Sequence, residues 1–387
     1  MLLYRLKSNK TIYLFMLVYF LFHFSEGSFL TYFQLYLNYL NWNNAQIGAL
    51  LAFVTVVSMC FQPFWGRVCD SASSKNRVLK FLLFTSSVVF VTIPFFYAAV
   101  WIIIMAVFYN VFRLPGTGIL DTVTLEYASE NRVKFGSIRI FASIGFATMS
   151  LVGGWMLARD IYYIFWVQAA ATFLAILGIN FLPTVKGHLT QRKNSSYFAL
   201  FEIKNLRFFM IISTIFLAAT GFGLSFYGIY FVTELQGGAE MLGIILALAT
   251  FSEMPFVFMI DVLIKKLTVG KILAIACALG SLRWILTALV TNVTGHLFIQ
   301  LLHGFNAGIL NLTMVMYINR NTPPELKASG QTFYWLAHAF AMRVLGAFVL
   351  GAVSNFFELR QMYLAVGVAL ALTSLAAFAW IRVKKII

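Results

Sequence analysis

The stretch "GILDTVTLEYASENRVKFGSIRIF", residues 118–141, joins two apolar runs through a short polar turn. Asp121 lies near the end of the first run and Arg139 near the start of the second. A charge at the centre of a bilayer costs about 2.5–3.5 kcal/mol on insertion scales. If both runs cross a membrane, Asp121 and Arg139 need an interior, or each other, to face. How these two charges are read decides the fold.

Composition places the runs in a membrane. The chain of 387 residues is 61% hydrophobic and 11% charged, with 41 phenylalanines. A soluble domain carries about 25% charged residues. Twelve apolar runs can be counted: 12–39, 45–65, 78–98, 100–127, 137–157, 160–183, 208–233, 241–264, 271–292, 296–319, 328–353 and 361–381. Each approaches the roughly 20 residues that a spanning helix needs. The expected fold class is therefore all-α integral membrane, with twelve transmembrane helices. The first run is too long for the apolar core of a cleaved signal peptide.

The net charge of +15 raises the question of nucleic acid. The placement of the charge answers it. Arg5, Lys7 and Lys10 precede the first run, and Arg67, Lys75, Arg77 and Lys80 flank the turn after the second. Arg132 and Lys134 follow the fourth, Lys186, Arg192, Lys193, Lys204 and Arg207 the sixth, and Lys265, Lys266 and Lys271 the eighth. Arg320 and Lys327 follow the tenth, and Arg382, Lys384 and Lys385 the last. The opposite turns hold only Arg159 and Arg360. By the positive-inside rule the basic side is cytoplasmic, with both termini. Nucleic acid is not an expected partner. Cys60, Cys69 and Cys277 form neither a disulfide framework nor a metal-spaced set. No phosphate loop, dinucleotide fingerprint or zinc motif occurs in the sequence, so no enzyme, cofactor or metal site is expected.

The longest polar interval, 184–207, contains "KGHLTQRKNSS" and divides the runs six and six. The expected organisation is a bundle over 1–183, a cytoplasmic linker over 184–207 and a second bundle over 208–387. The halves align weakly. "SFLTYFQLYLNYLNWNNAQIGALLA" (28–52) lies over "GLSFYGIYFVTELQGGAEMLGIILA" (223–247) without a gap, matching Tyr32 with Tyr227 and Gly48 with Gly243. Both copies run in the same direction, as in a parallel repeat about an axis along the membrane normal.

Helical spacing collects the remaining polar residues into stripes. Arg113, Thr117, Asp121 and Thr124 share a face of the fourth run. Arg139, Ser143 and Phe146 share one on the fifth. The eighth run carries Glu253 and Asp261 on one face, the ninth Arg283, and the tenth Gln300, His303 and Asn306. The first run carries His23 and Glu26, and the eleventh Gln331, Trp335 and His338, with Arg343 off that face. Arg113 has Glu26 or Asp121 as alternative partners. Intramembrane ionisable residues mark solute or proton paths by default. A carboxyl in an apolar cavity can load and release protons near neutrality, so Glu253, Asp121, Asp261 and Glu26 are candidate proton carriers. His303 joins them. Tyr32, Tyr36, Tyr227 and Tyr230 are expected to pack rather than bind.

Twelve runs, a six-and-six repeat and a basic central loop resemble the major facilitator superfamily. "GRVCDSASSKNR" (66–77) is similar to its loop signature through Gly66, Asp70, Lys75 and Arg77, with Ser71 and Ser73 at two departures. The resemblance implies a gating role for Gly66, Asp70 and Arg77, the aspartate latching one conformation. "FQPFWGRVCD", "FGSIRIFASIGF", "LRW" at 282–284 and "LLHGFNAG" at 301–308 resemble the lactose-permease and phenylpropionate-permease branch of proton symporters. That likeness implies solute contacts at Asp121, Arg139 and Phe146. It implies proton coupling around Arg283 and His303. Asp121 is shorter than the acid usual in the sugar symporters, Phe146 replaces a tryptophan, and Asn306 replaces a titrating acid. The substrate thus stays open among a sugar, a nucleoside and an aromatic carboxylate. Asp121, Arg139, Phe146, Glu253 and Arg283 form the expected binding set. Glu253, Asp121, His303, Asp261 and Glu26 form the expected proton-coupling set. The implied activity is proton-coupled uptake of a small polar or anionic solute by alternating access, in a bacterial cytoplasmic membrane. The chain is expected as a monomer among lipids. A proton-driven exporter of lipophilic compounds and a non-transporting sensor are the alternatives.

Overall fold

In bilayer interior every backbone N–H and C=O must be satisfied within the protein, which favours helices for long apolar runs. The computed structural model describes residues 2–131, 133–185, 205–321 and 327–384, and within these every regular element is helical. The helices are α1 (Leu2–Gly27), α2 (Phe33–Tyr39), α3 (Asn44–Ser71), α4 (Lys75–Thr92), α5 (Ala99–Asn131), α6 (Phe135–Leu157) and α7 (Tyr163–Asn180). After the interval 186–204, which is outside the described residues and holds most of the expected linker, come α8 (Leu206–Thr233), α9 (Ala239–Lys266) and α10 (Val269–Leu289). The chain ends with α11 (Val293–Leu301), α12 (His303–Asn321), α13 (Lys327–Ala339), α14 (Gly351–Val353) and α15 (Leu359–Lys384). Among the described residues eleven helices are long and apolar enough to cross a membrane. The expected tenth run, 296–319, is broken at Leu302 into α11 and α12, with only Ile309–Ile318 as a shorter apolar stretch.

Helix ends differ from the apolar runs where polar residues continue the helix. The α5 helix has 33 residues, about 50 Å at 1.5 Å per residue, against a hydrocarbon core of about 30 Å. It ends at Asn131 rather than near Tyr127, so Asp121 lies about 15 Å from that end instead of 9 Å. Similarly, α3 runs through Gly66 and Asp70 to Ser71, and the expected loop shrinks to 72–74. Hydropathy stops where the chain leaves lipid, whereas hydrogen bonding continues while the backbone remains helical. Ser74 stops the reverse extension of α4, its side chain accepting from the Arg77 N–H. Thr268 and Asn292 cap α10 and α11 the same way.

Two stretches widen to π-helix, Ser28–Tyr32 after α1 and Phe340–Leu350 after α13. Pro63, Pro115 and Pro255 lie inside α3, α5 and α9. Each removes a backbone donor and crowds the preceding turn. Two of them neighbour polar stripes, Pro115 beside Arg113 and Pro255 beside Glu253.

The chain divides into two compact units, Met1–Tyr36 with Phe53–Arg192, and Leu37–Ala52 with Lys193–Ile387. In the first, Phe15, Val18, Tyr19 and Phe22 of α1 join a core with Leu79, Leu82 and Leu83 of α4 and Leu120 and Val123 of α5. Between α1 and α6 the close approach depends on Gly145, where a Cβ would strike the Phe20 carbonyl. Lipid offers no hydrophobic drive for helix association, so such small residues let dispersion contacts act. In the second unit Ile272 and Ile309 anchor a cluster with Phe256, Leu263 and Met316. The four tyrosines expected to pack are buried. Tyr32 donates to the Ser150 carbonyl and Tyr230 to the Thr287 carbonyl, while Tyr227 bonds His296 Nδ1 at 3.1 Å.

Candidate functional site

Each unit gathers its own polar cluster. In the first, the stripe on α5 places Asp121 opposite Arg139, on the second turn of α6. Arg139 NH1 lies 3.3 Å from Asp121 Oδ1. Tyr19 of α1 donates its hydroxyl to the same oxygen at 2.7 Å. The pair is open, with side chains 27% exposed for Asp121 and 45% for Arg139. Phe146 is half-buried two turns further along α6, on the face that carries Arg139. An open carboxylate beside an open guanidinium offers acceptors and donors together. It can exchange its internal bond for a solute hydroxyl or carboxylate.

Glu26 belongs to a separate group. Its Oε2 lies 2.8 Å from His23 Nδ1. Tyr19, His23 and Glu26 stand at steps of four and three on α1, and the Tyr19 and His23 rings stack at 6.1 Å. That spacing is the signal by which Tyr19 could have been found from sequence. The two expected partners of Arg113 are both corrected. Arg113 is buried and donates to the Phe22 carbonyl at 2.6 Å and to Ser25 Oγ at 2.7 Å, over the Phe22 ring at 4.0 Å. These near oxygens on α1 capture the guanidinium before it reaches Glu26 or Asp121.

In the second unit, α9, α10, α11 and α12 converge. Gly304 permits it, since a Cβ there would strike the Ser252 backbone. His303 Nε2 then lies 2.9 Å from Glu253 Oε1. Arg283 NH1 lies 2.7 Å from His303 Nδ1, and its Nε and NH2 donate to Gln300 Oε1 at 3.1 and 2.5 Å. Guanidinium only donates. His303 Nδ1 is therefore the acceptor, the imidazole is neutral, and its Nε2–H points at Glu253. Donation thus starts at Arg283 and runs two ways, to Gln300 on one side and through His303 to Glu253 on the other. Arg283 is 3% exposed and also covers the Trp284 ring at 4.2 Å. The break at Leu302 places Gln300 and His303 on successive helices while both still reach Arg283.

The side chains of Asp261 and Asn306 lie outside the described residues. Gly66 and Asp70 sit in the last turns of α3 and Arg77 in the first turn of α4, all exposed. Beside that turn an ion pair joins Lys75, which is buried, to Glu126 of α5. The sequence pattern hides this pair, because Lys75 reads as one of the basic residues flanking a turn and Glu126 as the last polar residue of the fourth run. Among the described residues no group of three His, Cys, Asp or Glu could hold a metal ion.

The sequence profile of the MFS_1 like family matches residues 13–365. The chain belongs to this family. As a family member it is an integral membrane transporter of small solutes and not an enzyme. Maltose permease of Geobacillus stearothermophilus is 23% identical over 369 residues, covering 91% of this chain and 92% of the permease. The probable 3-phenylpropionic acid transporter of Escherichia coli strain K12 is 22% identical, over 78% and 80% of the two chains. Lactose permease of Klebsiella oxytoca is 21% identical, over 86% and 85%. Among solved structures, the nucleoside transporter NupG superposes with a TM-score of 0.82 at 18% identity, covering 95% of this chain and 98% of NupG. That likeness establishes the major facilitator fold expected from the repeat and the loop signature.

Proposed function

We propose that this MFS_1 like protein imports a small polar or anionic organic solute together with protons, by alternating access. The observation that carries the proposal is the open Asp121–Arg139 pair, held by Tyr19 and placed on the motif that resembles proton symporters. Arg139 supplies charge and paired donors to a carboxylate or hydroxyl, and Asp121 accepts from a hydroxyl. Phe146 offers an apolar face on the same helix side. These groups suit an aromatic carboxylate, a sugar or a nucleoside. The similar proteins include a maltose permease, a probable 3-phenylpropionic acid transporter and a nucleoside transporter.

The proton is carried by the second cluster. His303 presents Nε2–H to Glu253, so the carboxylate is the group with free lone pairs at the end of the chain of bonds. Protonating Glu253 removes one charge from the bundle interior and lowers the cost of reorientation. Asp261 and Glu26 remain secondary carriers in this reading, and Gly66, Asp70 and Arg77 the gating elements. The two bundles, 1–183 and 208–387, move as bodies joined by the linker 184–207. The protein works as a monomer in the bacterial cytoplasmic membrane, with both termini in the cytoplasm.

Reconstitution tests this reading. Proteoliposomes with an imposed inside-alkaline gradient are expected to accumulate a solute that stabilises the purified protein thermally. Asp121→Asn is expected to weaken apparent affinity about tenfold, by loss of an ionic hydrogen bond. Folded stability should change by about 1 kcal/mol or less, because the pair is open to solvent. Uptake indifferent to the gradient would remove the symport assignment, and unchanged affinity in the variant would remove Asp121 from the site.

A further inference from the structure

The structure assigns a second binding site, for the headgroup of an anionic phospholipid, at the end of the first unit where α4 begins and α7 ends. A cavity of 220 Å³ opens there, lined by Ser73, Arg77, Lys80, Asn180 and Thr184 among others. No carboxylate lines it. The volume exceeds the need of a single ordered water and admits a phosphodiester.

The donors in the cavity are side chains. The Lys75 N–H is taken by the Val185 carbonyl and the Arg77 N–H by Ser74, so these two backbone donors are spent within the protein. Lys80 Nζ donates once, to Asn180 Oδ1 at 2.5 Å, and keeps two further N–H groups. The Arg77 guanidinium is exposed and makes no hydrogen bond or ion pair among the described residues. Paired with hydroxyls at Ser73 and Thr184, these cations match phosphate oxygens. Arginine in particular binds phosphate through two parallel N–H bonds.

What distinguishes a lipid from a free anion is the surface next to the cavity. Arg77, Phe81, Phe84 and Val88 follow one another on α4 at steps of four, three and four. All four are exposed, Phe84 by 61% and Phe81 by 54%. One helix face thus runs from a bare guanidinium into an unbroken apolar stripe. The molecule complementary to both is an amphiphile with a phosphate at its boundary. Basic residues at the boundary of an anionic leaflet contribute about 1 kcal/mol each, or roughly fivefold in affinity. The assignment holds whichever solute the protein carries.

Native mass spectrometry of the purified full chain in detergent, with phosphatidylglycerol and phosphatidylcholine supplied in equal amount, tests it. Wild type is expected to retain phosphatidylglycerol in preference. Arg77→Gln, at a position without internal side-chain bonds, is expected to reduce that preference about fivefold with no change in thermal midpoint. Adding Lys80→Gln should remove the remainder, while Arg382→Gln elsewhere on the surface should leave it intact. Millimolar inorganic phosphate is expected not to displace the lipid. Equal retention of both lipids, or an undiminished preference in the double variant, overturns the site. Full displacement by inorganic phosphate overturns the lipid as its occupant.

Discussion

The two polar clusters use the same residue types to opposite ends. In the first unit Asp121 and Arg139 stand open to solvent at 3.3 Å, with one helper from Tyr19. In the second, Arg283 is buried and uses Nε, NH1 and NH2 to fix Gln300 and His303, which in turn meets Glu253. An exposed ion pair contributes little to stability and is free to exchange partners. A buried guanidinium is tolerated only when its donors are satisfied, and losing it leaves its acceptors stranded. Openness suits a solute contact, and saturation suits a switch that responds to one proton.

The sharpest way to break the contrast is Arg283→Met. Gln300 Oε1 and His303 Nδ1 would lose their donor in a dry site. We expect a stability loss of about 3 kcal/mol and no measurable uptake. Thermal unfolding in detergent checks the first and proteoliposome uptake the second. A midpoint within a degree of wild type would mean that the chain of bonds does not hold the bundle. A smaller effect is expected from Glu253→Gln. The amide oxygen still accepts from His303 Nε2–H, so the fold should hold. Gradient-driven uptake should drop at least about tenfold, while solute exchange without net proton movement persists. If both activities fall together, Glu253 binds solute or supports structure rather than carrying the proton. The smallest effect is Tyr19→Phe, which removes one neutral donor from Asp121. Apparent solute affinity should shift about fivefold in either direction, for a bond worth about 1 kcal/mol. A shift as large as that of Asp121→Asn would make Tyr19 a direct contact.

Much of this was legible from spacing alone. Asp121 and Arg139 share a depth because one precedes and the other follows the same turn, and both stripes could be drawn at 3.6 residues per turn. Glu253, Arg283 and His303 were each marked as costly in lipid. Their joining was not legible, because it depends on Gly304 letting α12 approach α9 and on the break at Leu302. Arg113 illustrates the opposite failure. Charge favoured a carboxylate partner, yet the nearer Phe22 carbonyl and Ser25 hydroxyl took its donors. The Lys75–Glu126 pair was hidden because its partners lie 51 residues apart, at the start of α4 and near the end of α5.

The sequence by itself determined that the chain spans the membrane in two runs of helices, and which residues cannot face lipid. Hydropathy and charge act locally, residue by residue, so a single chain displays them. Tertiary structure alone decided the partners: Tyr19 on Asp121, the Phe22 carbonyl and Ser25 on Arg113, and the neutral tautomer of His303. Those depend on which oxygen lies nearest once helices distant in sequence touch, and a hydrogen bond reaches only about 3 Å.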